Sequence, residues 1–139
     1  MRVERGFCVF GALAILMASG GAALAAPSPP MVVSLTAGPG GDASGTGSAT
    51  ITIDPTASKV CYTLTTSLTD AQMAHIHKGA AGQSGPVVVP FADLSGGKTQ
   101  GCATVSADVA NALLANPADY YVNVHTPSYP GGAIRGQLK

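Results

Sequence analysis

The sequence predicts an all-β protein, an antiparallel Greek-key β-sandwich with one short helix. Three observations predict it. Short runs in which apolar and polar residues alternate with period 2 recur along the chain. Clusters of Gly, Pro, Asn and Asp separate them, and only one stretch carries helical spacing with stop and start signals at its ends. Short strands at regular spacing with turns between them favour a sandwich or barrel over a parallel α/β fold.

The first 25 residues are expected to stand apart from this fold. Arg2 and Arg5 precede an apolar run, "FCVFGALAILMASGGAAL", that ends in small residues, the pattern of a secretory signal peptide. Ala23 and Ala25 supply the A-x-A cleavage pattern, so residues 1–25 would be removed, and Cys8 with them. Residues 26–30, "APSPP", form a proline-rich leader that resists helix and strand. Residues 31–139 form the domain, and a chain of this length has room for one core.

Charge excludes several functions. After position 25 the positive residues are Lys59, Lys78, Lys98, Arg135 and Lys139, scattered against Asp42, Asp54, Asp70, Asp93, Asp108 and Asp119. Such a chain has no basic stripe for nucleic acid. Beyond the leader no apolar stretch approaches the ~18 residues of a membrane span. The expected destination is the periplasm or the exterior.

The elements follow in order. "MVVSLTAG" is a strand, and the glycine-rich "GPGGDASGTG" after it is a loop. In "SATITIDP" Ile51 and Ile53 alternate with threonines; in "KVCYTLTTSL" Val60, Tyr62, Leu64 and Leu68 share one parity while Cys61, Thr63 and Thr65 share the other. Further strands are expected in "MAHIHKG", "PVVVPF", "GCATVS", "YYVNVHTP" and "AIRGQL". The helix starts at Ser106, a good N-cap, with Asp108 at the positive end of its dipole. Val109, Leu113 and Leu114 form its apolar stripe, Asn116 and Pro117 stop it, and it should cover an open end of the sandwich.

Cys61 and Cys102 are the only cysteines after the leader, and an exported protein meets an oxidising compartment. A disulfide is the expectation, with both sulfurs on the polar face of their strands. Closing a loop of about 42 residues would stabilise the fold by about 4 kcal/mol.

The chain's three histidines are His75, His77 and His125. On a strand His75 and His77 point to one side with Met73, while Ile76 points inward. In "YYVNVHTP" the inward residues are Val122 and Val124, which puts Tyr121, Asn123 and His125 on the other face. If the two strands are neighbours, three imidazoles converge with a fourth position vacant. That set suits one copper or zinc ion, and a thioether from Met73 would favour copper. The other reading is structural: histidines beneath glycine loops hydrogen-bond the carbonyls those loops leave unpaired. Spacing alone favours this second reading, with no cofactor, and Arg135 in the same patch would count against a metal.

Two blocks, "AHIHKGAAGQSGPVVVPF" with glycines at 79, 82 and 85 and "YYVNVHTPSYPGGAIRGQL", resemble the CHRD domain, the module named after chordin. The resemblance runs from about Val33 to Leu138. It implies binding, since chordin restrains growth factors of the bone morphogenetic protein class, and it brings no catalytic residues. A looser similarity runs to the Cu/Zn superoxide dismutases, with an H-x-H strand before a glycine-rich loop, and to SOD-like or immunoglobulin-like sandwiches generally. Their dinuclear site needs six histidines and an aspartate, so this chain cannot build it.

Other chemistries lack their pattern. Ser84 has no G-x-S-x-G context, the aspartates are unpaired, and the glycines at 79, 82 and 85 precede a strand where a phosphate loop needs a helix. The expectation is a non-enzymatic binding or surface module whose partner is a protein or small ligand. The alternative is a mononuclear copper or zinc protein, with weak redox activity ranked last. Tyr121, Asn123, Arg135, Tyr129, Gly79, Gly82 and Gly85 are the remaining surface candidates.

Overall fold

The structure, a computed structural model, describes residues 20–94 and 96–139. The expected signal peptide therefore lies outside the described residues as far as position 19. Residues 26–30 form neither helix nor strand, and Ser28 ties them to the domain: it donates its N–H to the Ile53 carbonyl at 2.7 Å, and its Oγ accepts from the Ile53 N–H at 2.9 Å. No helix among the described residues is long and apolar enough to cross a membrane.

The strands form where the alternation placed them. They are β1 (Met31–Ala37), β2 (Gly47–Asp54), β3 (Lys59–Thr66), β4 (Met73–Lys78), β5 (Val87–Pro90), β6 (Lys98–Thr104), β7 (Tyr120–His125) and β8 (Ile134–Gln137). All pairings are antiparallel, in the order β5-β4-β7-β8-β1-β2-β3-β6. The two layers of the expected sandwich are the four-stranded halves β1-β2-β3-β6 and β5-β4-β7-β8. They are not separate sheets, because the end of β1 pairs with β8 through Thr36↔Arg135 and Ala37↔Ile134. The result is one continuous eight-stranded sheet, nearly a barrel.

The inner faces meet in one core. Leu35, Ile51, Ile53, Val60, Leu64, Ile76, Val89, Val122 and Ile134 are fully buried there. Each such side chain stabilises the fold by about 1.5–3 kcal/mol relative to exposure. Tyr62 of β3 stacks on Phe91, the residue after β5, with ring centroids 3.9 Å apart. The Tyr62 hydroxyl also accepts the Ala92 N–H at 2.7 Å.

The helix, α1 (Ala107–Ala115), is capped by Ser106, whose Oγ accepts the Val109 N–H at 3.2 Å. Its buried residues are Ala110 and Leu113, which join the common core. This corrects the expected stripe: Leu114 turns to solvent and Val109 is only half-buried, because the short helix presents a narrow i, i+3 edge to the core. A single 3-10 turn, Pro117–Asp119, leads directly into β7. Cys61 and Cys102 face each other in the β3–β6 register and form the expected disulfide. The side chains beside them are polar and exposed, as parity required.

Candidate functional site

The outer face of β4, β7 and β8 is where chemistry gathers. β7 lies between β4 and β8, and its register sets three rows across the sheet: Met73 with His125, His75 with Asn123 and Arg135, and His77 with Tyr121 and Gln137. Every residue of β7 is buried, on both faces. The inner face meets the core; the outer face is closed by the loops that follow β4 and β7.

The histidines do converge. The ring centroids are 5.5 Å apart for His75 and His77, 5.0 Å for His75 and His125, and 5.7 Å for His77 and His125. One ring nitrogen from each lies within 4.8 Å of the others. His77 and His125 are 9% and 8% exposed, and His75 is half-buried at the opening.

The hydrogen bonds fix which nitrogens are free. His77 Nδ1 is 2.9 Å from the Gly85 carbonyl, and His125 Nδ1 is 2.9 Å from the Pro130 carbonyl. A carbonyl can only accept, so each Nδ1 carries the proton and each Nε2 presents a lone pair. Both Nε2 atoms, and Nδ1 of His75, are buried without a partner. The structural reading and the metal reading are thus the same arrangement seen from its two ends, since ligating histidines routinely donate their second nitrogen to a carbonyl.

Electrostatics favour the neutral form of two of the rings. Burial, then the neighbouring His125 and His77, hold the His75 imidazole below its ordinary titration range. His77 is held low first by burial and further by His125 and Arg135, against the opposing pull of the Gly85 carbonyl. Neutral imidazole is the form a metal ion binds.

The glycines build the lid. Gly85 gives its carbonyl to His77 and its N–H to the Tyr121 hydroxyl at 3.3 Å, and a Cβ there would collide with the Lys78 carbonyl. Gly79 donates to the Asp119 carbonyl at 2.7 Å and accepts from Gln137 Nε2 at 2.7 Å. Gly82 turns the loop at φ +79°. Asn123 Nδ2 donates to the Gly131 carbonyl at 3.2 Å and so holds the second loop. Tyr129 closes a turn of that loop through its N–H to the Thr126 carbonyl.

Tyr121 stands beside the histidines, its ring stacked on His77 at 5.1 Å and 10°. The Arg135 guanidinium lies 3.5 Å from the Tyr121 ring centre. It therefore sits over the tyrosine and not among the imidazoles. Met73 shares the face and pairs with His125 in register, but half of its surface is exposed. Sequence reading missed the Pro130 and Gln83 carbonyls and the amide of Gln137. Carbonyl partners leave no mark on a side-chain pattern; the "PGG" and "GQL" motifs were the only signal. A wider cavity of about 410 Å³ lies elsewhere, along β3 and β6 from Thr63 to Gln100.

An all-β domain that carries a preformed polar centre beneath two loops is a binding module by architecture. The family model for the CHRD domain matches residues 31–138, and the chain belongs to that family. Searches of curated proteins and of solved structures return no match.

Proposed function

We propose that this CHRD domain is an exported, non-enzymatic binding module whose centre takes one copper or zinc ion on His75, His77 and His125. One observation carries the reading: each of the three histidines has a buried ring nitrogen without a partner, and one ring nitrogen from each lies within 4.8 Å of the others, so that a small adjustment of the side chains would bring all three onto one ion. Leaving a polar atom buried and unpaired costs about 1–3 kcal/mol each, and a single cation would satisfy all three. Carbonyls behind two of the rings orient them as ligands. Export is supported by the leader pattern of residues 1–25 and by the Cys61–Cys102 disulfide. A protein or small-ligand partner would meet the loops that cover this face, the glycine loop after β4 among them, with Tyr121 and Asn123 holding them from beneath.

Titration of the metal-stripped protein with Cu(II) and Zn(II) by calorimetry tests the proposal. The expected result is one equivalent bound, with affinity reduced by orders of magnitude in His77→Ala and in His125→Ala. Electron paramagnetic resonance of the copper form should show nitrogen ligation. Wild-type protein that binds neither ion in a stoichiometric manner, or variants that bind as wild type does, would reduce the histidines to anchors for the loops.

A further inference from the structure

We propose that Arg135 and the cavity beside it form a site for a small oxyanion, independent of the metal centre. The cavity is about 70 Å³ and is lined by Gly38, Gly82, Ser84, Asn123, Gly132 and Arg135, among others. Among the described residues no acidic side chain lines it. Arg135 donates from one terminal nitrogen to the Gln83 carbonyl at 3.0 Å, while its other terminal nitrogen is buried and makes no hydrogen bond.

A guanidinium is always charged, and removing its N–H groups from water without an acceptor is costly. Tyr121 offers the cation its ring face, but the second terminal nitrogen stays buried without an acceptor. An oxyanion in the cavity supplies the missing acceptor and the missing charge together. The cavity is small, so a compact oxyanion such as formate, nitrate or acetate is the class of ligand it suits. The loops that make the cavity also set its limits: a Cβ on Gly132, at φ +125°, would run into the Asn123 amide, and one on Gly38 would lie 2.7 Å from Arg135 Cδ.

The test uses metal-stripped protein, so that failure of the metal reading and failure of this one are separate outcomes. Sodium formate, nitrate and phosphate are titrated at matched ionic strength against chloride while ¹⁵N NMR follows the arginine guanidinium and backbone amide signals. Arg135 is the one arginine after residue 25, so its guanidinium signal is assigned directly, and Arg135→Lys removes the planar fork. Formate and nitrate are expected to shift the Arg135 guanidinium and the Ser84 and Gly132 amides along a saturating curve, and chloride is not; the phosphate curve shows how large an oxyanion the cavity admits. Arg135→Lys should weaken the amide response by about tenfold or more. Linear shifts alike for every salt, or a response unchanged in Arg135→Lys, would overturn the proposal and leave a water-filled cavity. Should Arg135→Lys fail to fold, the wild-type guanidinium curve decides the matter by itself.

Discussion

His77 is bonded at one nitrogen and bare at the other, and this asymmetry governs what single substitutions should do. Tyr121→Phe removes the acceptor of the Gly85 N–H but leaves the stacked ring in place. It should cost about 0.5–1.5 kcal/mol in urea denaturation and leave metal affinity nearly unchanged. Acid should act through the imidazoles themselves. His75 and His77 are both held below the ordinary value of 6.5, chiefly by burial. Above that value both folded and unfolded chains are neutral, and the full stability is present. As pH falls through 6.5 the unfolded chain takes up protons that the folded site refuses, so stability declines. Thermal melts of metal-free protein from pH 8 to pH 5 should show this fall, and the double variant His75→Gln, His77→Gln should flatten it.

At the level of elements, the polar strand faces carry the staple. Cys61→Ser with Cys102→Ser should lower stability by about 4 kcal/mol, the chain-entropy value for a loop of this length, read from urea unfolding with a steeper slope because the unfolded chain loses its cross-link. Parity made the strands legible: Ile51, Ile53, Val60, Tyr62 and Leu64 are buried as their alternation demanded. The H-x-H pair and the outward set Tyr121, Asn123 and His125 were legible for the same reason, once β4 and β7 are neighbours. The pairing of β1 with β8 was not, because two register pairs between chain ends leave no local pattern. Nor was the true apolar edge of α1, since Ala110 is too small to announce itself beside Leu114. The fate of Arg135 also escaped: a stack on Tyr121 depends on diagonal neighbours across β7 and β8, which strand alternation does not encode.

For the molecule as a whole, the metal centre should behave as a clamp. Its ligands come from β4 and β7, strands drawn from separate parts of the chain, so an ion bound there favours only the folded state. At a free concentration of about one hundred times the dissociation constant, copper or zinc should add about 2.7 kcal/mol to stability. Calorimetric melting temperatures should rise with metal in wild type and stay constant in His125→Ala.

The sheet ends on one side at β6 and on the other at β5. Exposed outer strands invite a second chain to pair with them, which is how β-proteins aggregate. Here the two borders are defended by different chemistry. β5 is four residues long, follows Pro86 and ends at Pro90, and a proline has no N–H to offer a newcomer. β6 is longer and has no proline, but Cys102 bolts it to Cys61 so that it cannot peel away and present a fresh ribbon. The bond that stabilises the fold is therefore also its guard against self-association. In a reducing medium it is the β6 border, and not the proline-bounded one, at which two copies would first join.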